Sequence, residues 1–316
     1  MILPVLPKTD IWRVGVLPVP MSVVVTGGLA GIAPVWLPAG RPFTYLADPF
    51  GMWRDGRLYV FVETYDYRSR HGGIDVLTLD ETFRVIDHRP CLRTAWHLSY
   101  PFVFEAAGET YMLPEAHKSG ALTLYRAKRF PDVWTPVCDI ALGESAGEGS
   151  AVDATPVFFE GLWWLFYAPA TDLYSKMSVL NAAYSKNITG PWYAHSMNPL
   201  RETANGARPG GTPVVLDGAL VVPLQDCSQT YGGAVRALRI SRLSPDTFEA
   251  EIGPSIVGGE AFGPYVDGMH TLSACGNVTL FDAKHIDRSM GKWLVDAGRA
   301  PIVARKAVKS LWRKIS

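Results

Sequence analysis

A weak internal repeat constrains this chain more than any other feature. Asp48-Pro49-Phe50 leads through Asp55-Gly56 into Leu58-Tyr59-Val60-Phe61, and Tyr100-Pro101-Phe102 leads through Gly108 into Tyr111-Met112-Leu113. Thr155-Pro156-Val157 likewise reaches Trp163-Trp164-Leu165-Phe166 through Gly161, and Thr212-Pro213-Val214 reaches Leu220-Val221-Val222 through Gly218. Each unit is a proline, an apolar strand, a turn at glycine and a second apolar strand, and the prolines recur roughly every fifty to sixty residues. A fifth, more divergent copy runs from His270 through Gly276 and Asn277 to Asp282. This length per repeat suits a four-stranded blade, so the pattern predicts an all-β fold, a five-bladed β-propeller over residues 1–285.

Further strands fit behind the inner hairpins. Ile74–Leu79, Leu122–Ala127, Val179–Tyr184 and Val235–Ile240 alternate apolar and polar residues or read as short apolar runs. Helical periodicity is nearly absent before residue 284. Trp12–Val19 is predicted to pair into the last blade and close the ring, which would remove exposed sheet edges. Residues 286–316 form a basic tail. Within it Pro301–Ser316 contains no acid and places Ala304, Val308, Leu311, Trp312 and Ile315 on one helical face, with Arg305, Lys306, Lys309, Arg313 and Lys314 around the rest. Such a short amphipathic helix suits an anionic membrane surface, or else packs on the propeller wall with its basic face in water.

Bulk properties narrow the partners. The 316 residues are 48% hydrophobic, enough for one sizeable all-β core. Basic and acidic residues both number 30, so the overall charge gives no reason to expect nucleic acid as a partner. Cys91, Cys138, Cys227 and Cys275 lack CxxC spacing and are read as reduced thiols; no close Cys/His group offers a zinc site, and neither metal nor cofactor is expected. No leader peptide and no uninterrupted apolar run of spanning length is visible, which makes a cytoplasmic protein the simplest expectation, with an anionic membrane surface as one of the two uses of residues 301–316.

In a propeller the innermost strands start near the central channel, so residues at the start of each repeat share one pocket. Those positions hold Asp48, Ser99 and Tyr100, Asp153, Arg208 and His270. The far ends of the neighbouring strands add Glu63, Glu115, and Gln225 with Asp226. Glycosidic chemistry needs one carboxyl kept protonated and a second kept ionised. Asp48 as base, Glu115 as acid and Asp153 as orienter would meet that need. Each has a plainer use: an Asp near a proline often starts a turn, and a buried Glu has to be paired. Arg208 fits an anionic ligand group or an ion pair to Asp153 or Glu115, and His270 a carboxylate or a sugar hydroxyl. Trp53, Tyr65, Tyr100 and Tyr231 are candidates to stack on a sugar face, with Trp163 and Trp164 in the core.

Ala47-Asp48-Pro49 and Val152-Asp153-Ala154-Thr155-Pro156, each leading into its strand, resemble the five-bladed propeller glycosidases of the arabinanase and β-xylosidase type. That resemblance implies a general base at Asp48 and a pKa-modulating Asp153, with the acid supplied by blade four; here blade four reads Ala207-Arg208-Pro209-Gly210. A closer resemblance, over about residues 45 to 285, is to the N-terminal domain of glucosamine inositolphosphorylceramide transferases. Pro114-Glu115-Ala116, Leu124-Tyr125-Arg126-Ala127, Phe130-Pro131, Trp134, Gln225-Asp226-Cys227 and Asp267-Gly268-Met269-His270-Thr271 carry it. It implies a carbohydrate site in glycan or glycolipid assembly. Two function classes follow: an enzyme that breaks or transfers a glycosidic bond, and a non-catalytic propeller that binds a sugar, oligosaccharide or glycolipid and presents it to a partner transferase.

Overall fold

The computed structural model describes residues 8–142, 151–289, 291 and 293–299. Five antiparallel sheets follow one another along the chain and form the expected five-bladed β-propeller. Blade one comprises Thr44–Arg54, Arg57–Asp66, His71–Leu79 and Val85–Leu92; blade two comprises Ser99–Ala106, Glu109–Glu115, Thr123–Arg129 and Val133–Asp139. Blade three is built on Ala151–Phe159, Leu162–Pro169 and Val179–Ser185, and blade four on Asn205–Pro209, Val214–Leu216, Ala219–Asp226, Ala234–Ser244 and Thr247–Ile256. In blade five, Leu272–Cys275 pairs with Val278–Asp287, which pairs in turn with the N-terminal strand Thr9–Leu17, Trp12 lying opposite Lys284. The ring closes as the sequence predicts, from both ends of the chain.

The inner hairpins share one turn chemistry. Asp55-Gly56, Ala107-Gly108, Glu160-Gly161 and Asp217-Gly218 all have positive φ at both central residues, the two-residue turn whose twist matches that of the flanking strands. Burial follows from the same repetition, since each sheet is apolar on both faces. The cores lie between blades: Phe61, Tyr100 and Met112 join blades one and two, Leu113, Leu165 and Tyr167 join two and three, and Phe166, Leu220 and Leu238 join three and four. Phe281 with Val235 and Ile256 closes blade five on four, and Leu58 with Leu280 closes it on one. The helix Met21–Gly27, in a stretch read as non-helical, lays Met21 and Val24 into the core between blades four and five. Its seven residues are too few to show a helical period, so packing rather than pattern decides it. The four cysteines are unpaired.

A short helix over residues 293–299 falls within the expected tail. The amphipathic segment Pro301–Ser316 lies outside the described residues. Among the described residues no helix is long and apolar enough to cross a membrane.

Candidate functional site

The inner strand of each of the first three blades starts on a β-bulge, and the bulged residue has left-handed backbone: Asp48 at φ 50°, Tyr100 at φ 45° and Asp153 at φ 50°. This conformation is costly for a residue with a side chain and clusters at functional sites. It also sets the true equivalence of the blades. Pro49 and Pro101 directly follow the bulged residue, whereas Pro156 comes three positions after Asp153, so the proline alignment slips by two in blade three. Neighbouring blades hold the bulges in place. Asp282 Oδ2 accepts from the Asp48 N–H at 2.9 Å, and Asp48 Oδ2 accepts from the Tyr100 N–H at 3.1 Å. Each carboxylate thereby satisfies the strained N–H of the next blade.

Above these bulges opens a cavity of about 500 Å³ lined by Asp48, Glu63, Ser99, Glu115, Arg208 and Tyr231, with Trp12, Tyr45, Tyr65, Tyr67, His97 and His117 around them. Seven of the residues singled out from the sequence therefore share it: Asp48, Glu63, Tyr65, Ser99, Glu115, Arg208 and Tyr231. Asp153 is not on the wall but behind it, where its Oδ2 accepts from Arg208 Nε at 2.6 Å and from Gln225 Nε2 at 2.7 Å. Burial raises the Asp153 carboxyl above its ordinary value against the pull of Arg208. Arg208 is desolvated too, yet Asp153 makes it hold its proton more tightly. The ion pair anticipated for Arg208 is thus formed, and its guanidinium also sits 5.2 Å above the Tyr231 ring.

Tyr100 does not reach the cavity. Its side chain crosses the axis, where the hydroxyl meets Thr155 Oγ1 at 2.9 Å and accepts from the Gly211 N–H at 2.7 Å. Gln225 is fully buried, bridging Asp153 and the Pro209 carbonyl. Asp226 turns to the opposite side of its strand and pairs with Arg236 at 2.8 Å. His270 also lies behind the wall, stacked on Trp12 with ring centroids 3.8 Å apart and 2.7 Å from Asp282 Oδ2. Burial works against its charge, but Asp282 and Asp48 raise its proton affinity. Trp53 is away from the cavity, donating to the Cys275 carbonyl. Asp48, His270 and Asp282 bring donor atoms within 4.8 Å of one another and are the residues that could hold a cation; the hydrogen bonds above already join them.

The three cavity carboxyls are all buried and differ sharply. Desolvation raises Asp48 to about 6, against His270, which lowers it, and with Asp282 and Asp153, which raise it further. Its Oδ1 accepts from Thr271 Oγ1 at 3.0 Å. Burial would raise Glu115 as well, but His117, through its ring and its N–H, and the Ser99 hydroxyl at 2.8 Å bring it down to about 2. Glu63 has no such partners. Its Oε1 makes no hydrogen bond, and burial together with Asp48, Glu115 and Asp153 pushes its proton affinity well up. His97 faces it, Nε2 lying 3.5 Å from Glu63 Oε1. The Gly72 N–H donates to His97 Nδ1 at 2.8 Å, so neutral His97 carries its proton on Nε2, the nitrogen aimed at Glu63. Burial keeps that ring neutral by lowering its pKa to about 4.

Sequence reasoning missed His97, His117, Trp12 and Asp282 as parts of the site. One signal for His97 was present: Gly72 stands where any Cβ would come 2.6 Å from Glu63 Oε1 and 2.7 Å from the Leu98 carbonyl. Paired glycines at the start of a strand mark such a close approach.

Comparison with known proteins places the chain. The sequence profile of the family described as glucosamine inositolphosphorylceramide transferase 1, N-terminal, matches residues 25–258. The chain belongs to this family. Among proteins named glucosamine inositolphosphorylceramide transferase 1, that of Oryza sativa subsp. indica is 37% identical over 214 residues and that of Arabidopsis thaliana 36% identical over 219 residues. These alignments cover 66% and 68% of this chain but 28% of each relative, so this member of the family spans little more than a quarter of their length. In fold it is similar to a family 117 glycoside hydrolase of Zobellia galactanivorans, with a TM-score of 0.55 at 14% identity over 80% of this chain and 89% of that one. An α-L-arabinofuranosidase of Podospora anserina gives a TM-score of 0.55 at 14% identity, covering 79% of this chain and 82% of its own.

Proposed function

We propose that the cavity binds a sugar of a glycan or glycolipid and breaks or transfers its glycosidic bond, with Glu63 as proton donor and Asp48 as the ionised partner. One observation carries this reading: two buried carboxyls share a cavity wall, one without a hydrogen-bond partner among the described residues and pushed well up in proton affinity, the other held by three blades at about 6. Environments that separate the proton affinities of two carboxyls in this way are what glycosidic chemistry requires. Glu115, the acid expected from the sequence, is ionised at about 2 and has no proton to give near neutrality. It serves instead to raise Glu63 by like charge. Tyr45, Tyr65 and Tyr67 pack ring against ring beside Trp12 and Tyr231 on the wall, an aromatic surface suited to a sugar face. The names of the rice and Arabidopsis relatives support a glycolipid setting.

A second reading has its own observation. Blade four presents Arg208 paired with Asp153 where propeller glycosidases keep a carboxylic acid, which favours binding without turnover and presentation of the sugar to a partner transferase. Oligosaccharides and glycolipids titrated into the intact chain, followed by product analysis, separate the two. Glu63→Gln is expected to bind as wild type does and to lose roughly 10²–10⁴-fold in turnover. Turnover should fall in acid as Asp48 protonates near 6 and in base as Glu63 ionises. A Glu63→Gln protein with full turnover ends the assignment of the acid; a wild type that binds and never turns over leaves the presentation role.

A further inference from the structure

Charge is distributed unevenly in depth. The carboxyls sit on the cavity floor, and the rim is basic: Lys8, Arg70, Lys118 and Lys176 all line the opening. The fold explains their convergence. Arg70 lies between the second and third strands of blade one, Lys118 in the turn His117–Ser119 at the same connection of blade two, and Lys176 in the helix Leu173–Ser178 at that of blade three. Lys8 directly precedes Thr9–Leu17, the third strand of blade five, so four of the five blades bring a cation just before the third strand, at one end of the propeller. In a chain with 30 basic and 30 acidic residues, composition does not account for this.

None of the four forms an ion pair among the described residues, whereas the cavity's two rim acids are each beside another cation, Asp296 at 3.4 Å from Arg299 and Asp10 at 3.7 Å from the buried Lys284. Nor do they pair with the carboxyls below, where Glu115 is taken by His117 and Asp153, behind the wall, by Arg208. Four unpaired cations around one mouth repel one another and raise the local potential for an anion. Flexible lysine ammonium groups and one arginine fork suit phosphate oxygens in particular.

We propose that the ligand of this cavity is a phosphate-bearing sugar, its sugar ring against the aromatic wall and its phosphate at the rim on Lys8, Arg70, Lys118 and Lys176. The proposal rests on the carbohydrate reading above and narrows it to anionic ligands. Calorimetric titration of the intact chain with inositol 1-phosphate, inositol, N-acetylglucosamine 1-phosphate, N-acetylglucosamine and inorganic phosphate tests it. At least one ester is expected to bind about tenfold or more tightly than its parent sugar, as charged hydrogen bonds imply. That margin should shrink between low and physiological salt. Arg70→Gln with Lys118→Gln, both at exposed positions, should remove most of the margin while leaving the thermal midpoint within a degree or two of wild type; the single variants serve if the double one unfolds. Flotation with phosphatidylinositol vesicles, against phosphatidylcholine alone, separates a lipid headgroup from a free sugar phosphate as the source of the anion. Esters that bind no better than the parent sugars, or a margin untouched by the variants, overturn the proposal and leave the carbohydrate reading standing. Inorganic phosphate binding as well as the esters, with no sugar bound, keeps the rim as an anion site and removes the sugar; no binding of any probe removes both.

Discussion

Glu63 and Glu115 are the same residue type at the same place in successive blades, and they behave as opposites. Glu63 lies opposite Ala47, and Glu115 opposite Ser99, each at the end of the second strand and just before the bulge. Their exposures are alike at 5% and 3%. Two neighbours account for the divergence. Ser99 gives Glu115 a hydroxyl where Ala47 gives Glu63 none, and His117, two positions on, turns its ring and N–H to Glu115 where the corresponding Tyr65 donates nothing to Glu63. Burial penalises both charges, so the donors around Glu115 and the like charges around Glu63 decide which carboxyl ionises. The lesson is general to repeat folds: symmetry of the backbone creates equivalent positions, and substitutions beside them make the chemistry unequal.

Removing the charged partner in blade two should cost the most stability. Glu115→Gln leaves the donors Ser99 Oγ and His117 N–H facing a weaker acceptor, and a loss of roughly 1.5–3 kcal/mol is expected, as for charged hydrogen bonds in buried sites. Urea unfolding at neutral pH measures it. A loss no larger than that of a surface substitution would mean that the two glutamates are not as different as their surroundings imply. Ser99→Ala is the milder test, since it makes blade two resemble blade one at a single atom. About 1 kcal/mol should go with the hydroxyl, the ordinary worth of one such bond, and the Glu115 carboxyl, followed by NMR titration, should move up from about 2.

Much of this was legible in the sequence. Period, turn glycines and strand patterning carry the five blades, because a hairpin turn with two positive φ values demands Gly at its second place and the blades repeat it. Closure by the N-terminal strand followed from the need to cover edges. Asp48, Glu63, Glu115, Arg208 and Tyr231 were all readable as cavity residues, since strand ends and strand starts map directly onto the channel. Three things were not readable. The bulge shifts blade three by two residues against its proline, which pattern alone does not register, and Asp153, equivalent to Asp48, is held behind the wall by Arg208 and Gln225. The tyrosine that looked like a stacking platform, Tyr100, is drawn across the axis by Thr155 and the Gly211 N–H, partners 55 and 111 residues away. The protonation order of Glu63 and Glu115 depends on His117, Ser99 and His97, whose directions are set by side-chain and turn geometry rather than by spacing. The basic rim escaped attention for a similar reason: its members are far apart in sequence and meet only through equivalent connections.

The smallest cost in stability belongs to the substitution that tests the comparison most sharply. Glu63→Gln keeps the shape of the side chain and removes the possibility of charge. In the wild type, a carboxyl raised in the folded state favours folding fully below its unfolded pKa, about 4.3 for glutamate, and this contribution is lost as pH rises through the folded value. Wild type and variant should therefore match to within about 0.5 kcal/mol in mild acid, as expected for a change that breaks no bond. Above that the variant should gain on wild type, by up to about 1.4 kcal/mol for each pH unit until the folded-state pKa of Glu63 is passed. Asp48, raised to about 6, has the same sign of dependence and remains in both proteins, so the difference between their stability curves isolates Glu63 to first order. Paired urea titrations from pH 4 to 9 give that difference. A flat difference across the range would show that Glu63 finds a partner in solution, and the contrast with Glu115 would then lose its physical basis.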